Sequence, residues 1–172
     1  NDVLGNSGHD LGDASLMLTH VFGLTRTHGW VFQGEAVFDT AARPELGTGK
    51  NVLKGTLIYA RFLPTGAIFA PAVVQSNSVS GQARRADVNT TTFDFYYVPK
   101  LADPRNLITV DPAVNFDWEN DKEFLSLAVT FGRVTGPALG GVGIVTVKPT
   151  LFAGGDRPAD WGIEIGFKVL GF

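Results

Sequence analysis

The sequence predicts an all-β chain, an antiparallel up-and-down transmembrane β-barrel. Three observations carry the prediction. Apolar and polar residues alternate with period two in segments that recur about every 18 residues, and successive side chains of a strand face opposite sides. The alternating segments run to about ten residues, long enough to cross a bilayer when tilted (~9–11), whereas strands of soluble sheets average ~5–6. Charged residues are only 18% of the chain against 44% hydrophobic. The usual charged share is about 25%, so part of the surface is expected to be apolar.

Taken in order, residues 13–24 place Ala14, Leu16, Leu18 and Phe22 opposite Asp13, Ser15 and Thr19. Residues 30–40 place Trp30, Phe32, Gly34, Ala36 and Phe38 opposite Gln33, Glu35 and Asp39. Residues 52–63 set Leu53, Leu57, Tyr59 and Leu63 against Lys54 and Thr56, with Arg61 on the apolar side near the end. Residues 67–79 form a strand of ambiguous phase. Residues 88–98 set Phe93, Phe95 and Tyr97 against Thr92, Asp94 and Tyr96. The clearest case is 107–118, where Ile108, Val110, Pro112, Val114, Phe116 and Trp118 oppose Thr109, Asp111, Ala113, Asn115 and Asp117. Leu125, Leu127, Val129 and Phe131 alternate with Ser126, Ala128 and Thr130 in 124–134. In 142–153, Val145, Val147, Pro149 and Leu151 alternate with Thr146, Lys148 and Thr150. Last, 161–169 sets Trp161, Ile163, Ile165, Phe167 and Val169 against Glu164 and Lys168.

That makes about nine strands. The connections alternate between short turns (25–29, 64–66) and longer polar loops (41–51, 80–87, 119–122, 154–160), with 99–106 as a longer exception. Outer-membrane barrels show this asymmetry. Pro71, Pro112 and Pro149 count against regular central strands, because proline cannot donate to a ladder. Single-chain bacterial barrels hold an even number of strands. The expectation is therefore one barrel domain over 1–172 lacking amino-terminal strands, with about ten to twelve in the complete protein.

A charge facing lipid near the midplane costs ~2–4 kcal/mol for Arg or Lys, so the polar faces are expected to line the lumen. The lumen set is Gln33, Glu35, Asp39, Lys54, Asp94, Asp111, Asn115, Asp117, Lys148, Glu164 and Lys168, with Asp13 and Gln75 as further members. Trp30, Tyr59, Tyr97, Trp118 and Trp161 fall near strand ends. Tryptophan and tyrosine concentrate where hydrocarbon meets headgroups, so these five are expected at the membrane interfaces, against membrane lipid and lipopolysaccharide.

Other chemistry is sparse. With no Cys, disulfides and cysteine nucleophiles are excluded. The net charge is −3 and the basic residues are scattered, which argues against nucleic acid, since duplex binding needs clustered Lys and Arg. No run of ~18 apolar residues marks a transmembrane helix. The run GTGK (47–50) lacks the upstream glycine and following Ser or Thr of a phosphate loop, and Gly140, Gly141 and Gly143 precede a strand. His9, His20 and His28 match no zinc spacing, so neither metal nor cofactor is expected. Ser15, His20 and Glu35 can be drawn as a hydrolase triad, which makes a lipid-modifying hydrolase the alternative. A structural or adhesive barrel whose external loops bind a partner is another.

The phrases RPELGTGKNVL (43–53), RADVNTTTFDFYYVP (85–99), ITVDPAVNFDWE (108–119) and RPADWGIEIGFKVLGF (157–172), in that order, resemble the outer-membrane family of meta-pathway phenol-degradation proteins. The resemblance covers roughly residues 30–172. It implies a bacterial outer-membrane location, a signal peptide and passage of small, often hydrophobic or aromatic, solutes. It supplies no catalytic residues. Barrels of this kind commonly end in a phenylalanine read by the barrel-assembly machinery, and Phe172 is the candidate here. The apolar face is one residue out of phase with it, which a bulge near Leu170–Gly171 would repair.

Overall fold

Period-two patterning produces nine strands in the computed structural model, which describes residues 12–42, 47–138 and 140–170. They are β1 (Ala14–Phe22), β2 (His28–Phe38), β3 (Lys50–Phe62), β4 (Ile68–Gly81), β5 (Asn89–Val98), β6 (Asn106–Asp117), β7 (Lys122–Ala138), β8 (Gly141–Ala153) and β9 (Trp161–Leu170). All nine expected strands are present, and no helix occurs among the described residues. Each strand pairs antiparallel with the next, in the order β1 through β9. The sheet curls into a half-barrel. Among the described residues no ladder joins β1 to β9. His9, Phe172 and the expected bulge at 170–171 lie outside the described residues.

The connections collect at two rims. The connections 39–42 with 47–49, 82–88, 118–121 and 154–160 stand at one rim, and 23–27, 63–67, 99–105 and Gly140 at the other. The rims differ less than the sequence leads one to expect: 118–121 is a short turn on the loop rim, and 99–105 on the other rim is as long as 82–88 and 154–160.

Register places all apolar faces on one side of the sheet. Leu18 pairs with Gly34, Phe32 with Leu57, Leu57 with Val73, Val73 with Phe93, and Phe93 with Val114. Val114 pairs with Leu125, Leu127 with Leu151, and Val147 with Ile165. The buried strand side chains Lys50, Val52, Ala70, Ala72, Ser76, Asp94, Ala113 and Ala128 all lie on the other side. Among the described residues no second layer covers them, so their burial comes from curvature, which crowds side chains on the concave face. The convex face is the apolar one, and Leu18 is 73% and Ile165 75% exposed.

The three prolines sit inside central strands, which corrects the expectation that they exclude regular pairing. Each keeps its ladder on one side, as Pro71–Phe95, Pro112–Leu127 and Pro149–Ile163. On the other side the pairing skips. The β3–β4 register passes from Ile58–Ala72 to Arg61–Phe69, β5–β6 from Asp94–Ala113 to Tyr97–Val110, and β7–β8 from Ala128–Thr150 to Phe131–Val147. A missing N–H deletes bonds toward one neighbour only, so the strand survives.

The stagger of the strands gives their tilt. The row of partners through Phe22, Trp30 and Tyr59 near the turn rim continues by Pro71–Phe95 and Pro112–Leu127–Leu151 to Trp161. Trp161 opens β9 at the loop rim, whereas β2 continues from Trp30 eight residues further, to Phe38. Eight residues of ~3.3 Å over seven strand spacings of ~4.8 Å make a tilt of about 40°, within the 35–45° typical of barrels.

Candidate functional site: the concave polar face and its apolar outer wall

The concave face carries most of the expected polar set. Gln33 donates to Thr19 Oγ1 (3.3 Å) and Lys54 Nζ pairs with Glu35 at 3.0 Å. On β5 and β6, Asp94 is 7% exposed, with Tyr96 two residues along the same face. Asp111 has a buried Oδ1 with no partner. Asn115 accepts from Thr92 Oγ1 (3.1 Å) and donates to Ser126 Oγ (3.1 Å). Lys148 Nζ pairs with Glu164 at 2.6 Å, and Lys168 stands opposite Ile144 on the same face. The ion pairs follow from directly opposed positions, Glu35–Lys54 and Lys148–Glu164, which single-strand patterning does not reveal.

Several expected residues serve the rim instead. Asp39 accepts from Gln82 Nε2 (3.2 Å). Asp117 accepts from the amides of Glu119 and Asn120 and from the Asn120 side chain, closing the 118–121 turn. Asp13 accepts the amides of Thr48 (2.9 Å), Ala41 (3.1 Å) and Thr40 (3.2 Å). The Thr48 amide is foremost in holding its carboxyl below the usual carboxylate range, joined by Ala41, Thr40 and the Thr48 hydroxyl. Asp87 is likewise lowered, first by Lys50 Nζ at 2.7 Å.

Gln75 is a correction. It pairs with Gly55 and Thr91 on the apolar side, where its amide donates to Asn77 and Asn89. Trp118 Nε1 donates to Thr91 Oγ1 at 2.8 Å. This polar cluster stands toward the loop rim, where the apolar band ends.

The outer wall is banded. On β7 the convex residues Leu125, Leu127, Val129 and Phe131 run between Glu123 and Arg133. Ten residues of ~3.3 Å at a 40° tilt make an apolar band about 25 Å tall, the height of the apolar band of outer-membrane barrels (~25 Å). The aromatic residues bound it. Trp30, Tyr59 and Tyr97 stand near the turn rim, and Trp118 and Trp161 at the loop rim, all five on the convex side. Trp30 and Tyr59 touch at 4.8 Å between ring centroids, and His28 joins them at 5.8 Å from Tyr59.

The drawn triad does not assemble. Ser15 lies on the concave face, the same face as Glu35. His20 is on the convex face, pairing with Phe32 and stacked on Phe22 at 6.0 Å. GTGK leads into β3 with its lysine bound to Asp87, and Gly141 and Gly143 lie within β8. No group of three or more metal-ligating side chains occurs among the described residues.

Fold and faces together define a class: a tilted antiparallel half-barrel, apolar outside and polar within. Compared with known proteins, the chain matches no protein-family model, no curated protein and no solved structure.

Proposed function

We propose that this chain forms the wall of a bacterial outer-membrane β-barrel that gives small molecules a passive path across the membrane. One observation carries the reading. A continuous convex surface of exposed Leu, Ile, Val and Phe is bounded at both ends by aromatic and charged residues, at the spacing of a hydrocarbon layer. In water, an apolar patch of this extent on a monomer is a liability. In lipid it is the matching surface. The concave face, with its ion pairs and hydrogen-bonded amides, suits a wet lumen.

In hydrocarbon every backbone N–H and C=O must be paired. Among the described residues the outer edges of β1 and β9 carry no neighbouring strand, so the proposal includes further strands that close the wall. The partners of this reading are membrane lipid and lipopolysaccharide outside, a small-molecule solute inside, and the barrel-assembly machinery during insertion. Hydrophobic or aromatic solutes belong to the proposal as what the sequence resemblance to the phenol-degradation family implies.

The test is reconstitution. The protein is expected to fractionate with outer membranes, to need detergent for extraction, and to give steady conductance in planar bilayers. A monomer stable in plain buffer, with its tryptophans shielded from water, would overturn the reading. Lipid deacylation without conductance would replace it with an enzyme.

A further inference from the structure

Three charged groups of the concave face are far apart in sequence and share no strand pair. Register brings them to one height. Measured from the Trp30–Trp161 row, Glu35 and Lys54 lie five residues toward the loop rim. Asp94 lies one residue toward that rim from Phe95, and Asp111 one residue toward the turn rim from Pro112. Lys148 and Glu164 lie three residues toward the turn rim from Leu151 and Trp161. From Glu35 to Glu164 the fall is eight residues across seven strands. The loop rim itself falls by that amount from Phe38 to Trp161, so the groups form a level belt. Asp111 pairs with Ala128, which is midway between Glu123 and Arg133. The belt therefore runs at the middle of the apolar band.

We infer that this belt is the charge filter of the proposed lumen and that it favours cationic over anionic solutes. Four carboxylates (Glu35, Asp94, Asp111, Glu164) share two ammonium groups (Lys54, Lys148). Each lysine is in contact with one carboxylate, at 3.0 Å for Glu35 and 2.6 Å for Glu164, and Lys148 reaches Asp111 only through its field, without contact. Asp94 and Asp111 lie between these two ion pairs, and among the described residues neither has a cationic hydrogen-bond or ion-pair partner. Asp94 is opposed by Ala72 and Ala113, and Asp111 by Ala128. Asp94 lines one open cavity of the concave face together with Glu35 and Lys54, and the Asp111 Oδ1 is buried with no hydrogen-bond partner. A cleft lined by one sign of charge with low-dielectric walls concentrates ions of the opposite sign.

The inference rests on the channel reading, so its test must fail separately from it. The chain has no Cys, which makes a single reporter clean. Thr130→Cys places a thiol on the concave face of β7, two residues from Ala128. Folded full-length protein is treated with a trimethylammonium-ethyl or a sulfonato-ethyl methanethiosulfonate, and the two rates are compared. Their ratio cancels the thiol's own reactivity. The cationic reagent is expected to react roughly tenfold faster, after correction for a free thiol. Asp94→Asn with Asp111→Asn should bring the ratio close to one, and Lys148→Gln should raise it. Equal rates for the two reagents, or a ratio that ignores these substitutions, would overturn the belt and leave a wet lumen standing. Reaction with neither reagent would overturn the wet lumen, and the belt with it.

Discussion

The two faces of this sheet have the same backbone and opposite physics. On the convex face large apolar side chains stand exposed, Leu127 and Ile165 among them. On the concave face small and polar side chains are buried, Ala72, Ala128 and Asp94 among them. A water-soluble sheet reverses this, hiding its large residues and exposing its charges. The inversion is what the proposed lipid-facing reading expects of the convex face, and curvature encloses the concave one.

The strongest way to break the comparison is to put one charge on each face. Leu127→Lys, near the middle of the apolar band, is expected to cost ~2–4 kcal/mol in lipid. Thr130→Lys on the concave side should cost less than about 1 kcal/mol, because its ammonium stays in water. Denaturant titration of the protein folded in vesicles measures both. Equal penalties would show that the faces do not see different solvents.

A smaller effect sharpens the concave side. Glu35→Gln leaves Lys54 without its carboxylate. Glu35 is 15% and Lys54 37% exposed, so in a wet lumen the loss should stay below about 1 kcal/mol. A dry core would give 3–5 kcal/mol, and the same titration separates the two.

The tryptophans sharpen the convex side without destabilising it. All three stand at the rims of the apolar face, Trp30 at one and Trp118 and Trp161 at the other. Lipids brominated near the headgroup should quench their fluorescence more than lipids brominated near the chain ends. The reverse order would move the band away from the membrane interfaces.

The smallest effect lies outside both faces, where Asp13 pins Thr40, Ala41 and Thr48 to the start of β1. Its carboxyl is held below the ordinary value near 3.8, first by the Thr48 amide. A lowered folded-state pKa means the contribution is complete above that ordinary value and lost as pH falls through the folded one. Loop attachment should therefore persist at pH 5 and loosen only below the ordinary value. A carbon-detected NMR titration of the Asp13 carboxyl checks this, and a midpoint at or above the ordinary value would remove the pin.

Much of this was legible in the residues. Alternation located all nine strands and assigned faces to eight, because one buried or lipid-covered face forces period two. It failed on β4. There Ala70, Ala72 and Val74 oppose Phe69, Pro71 and Val73, so both faces read as apolar and the pattern alone assigns Gln75 to the lumen. Pairing with Gly55 and Thr91 turned Gln75 outward. The prolines misled for a related reason. Composition records the missing N–H but not that the loss falls on one neighbouring ladder, leaving the other intact.

The order of residues along the chain decided which side chains share a face, because a strand's alternation is local and needs no partner. It also decided that three tryptophans stand near strand ends. Height was decided only by the tertiary structure. Glu35, Asp94, Asp111 and Glu164 become level because each strand slides about one residue past the last, and that slide is set by cross-strand hydrogen bonding and sheet twist rather than by any spacing within a strand.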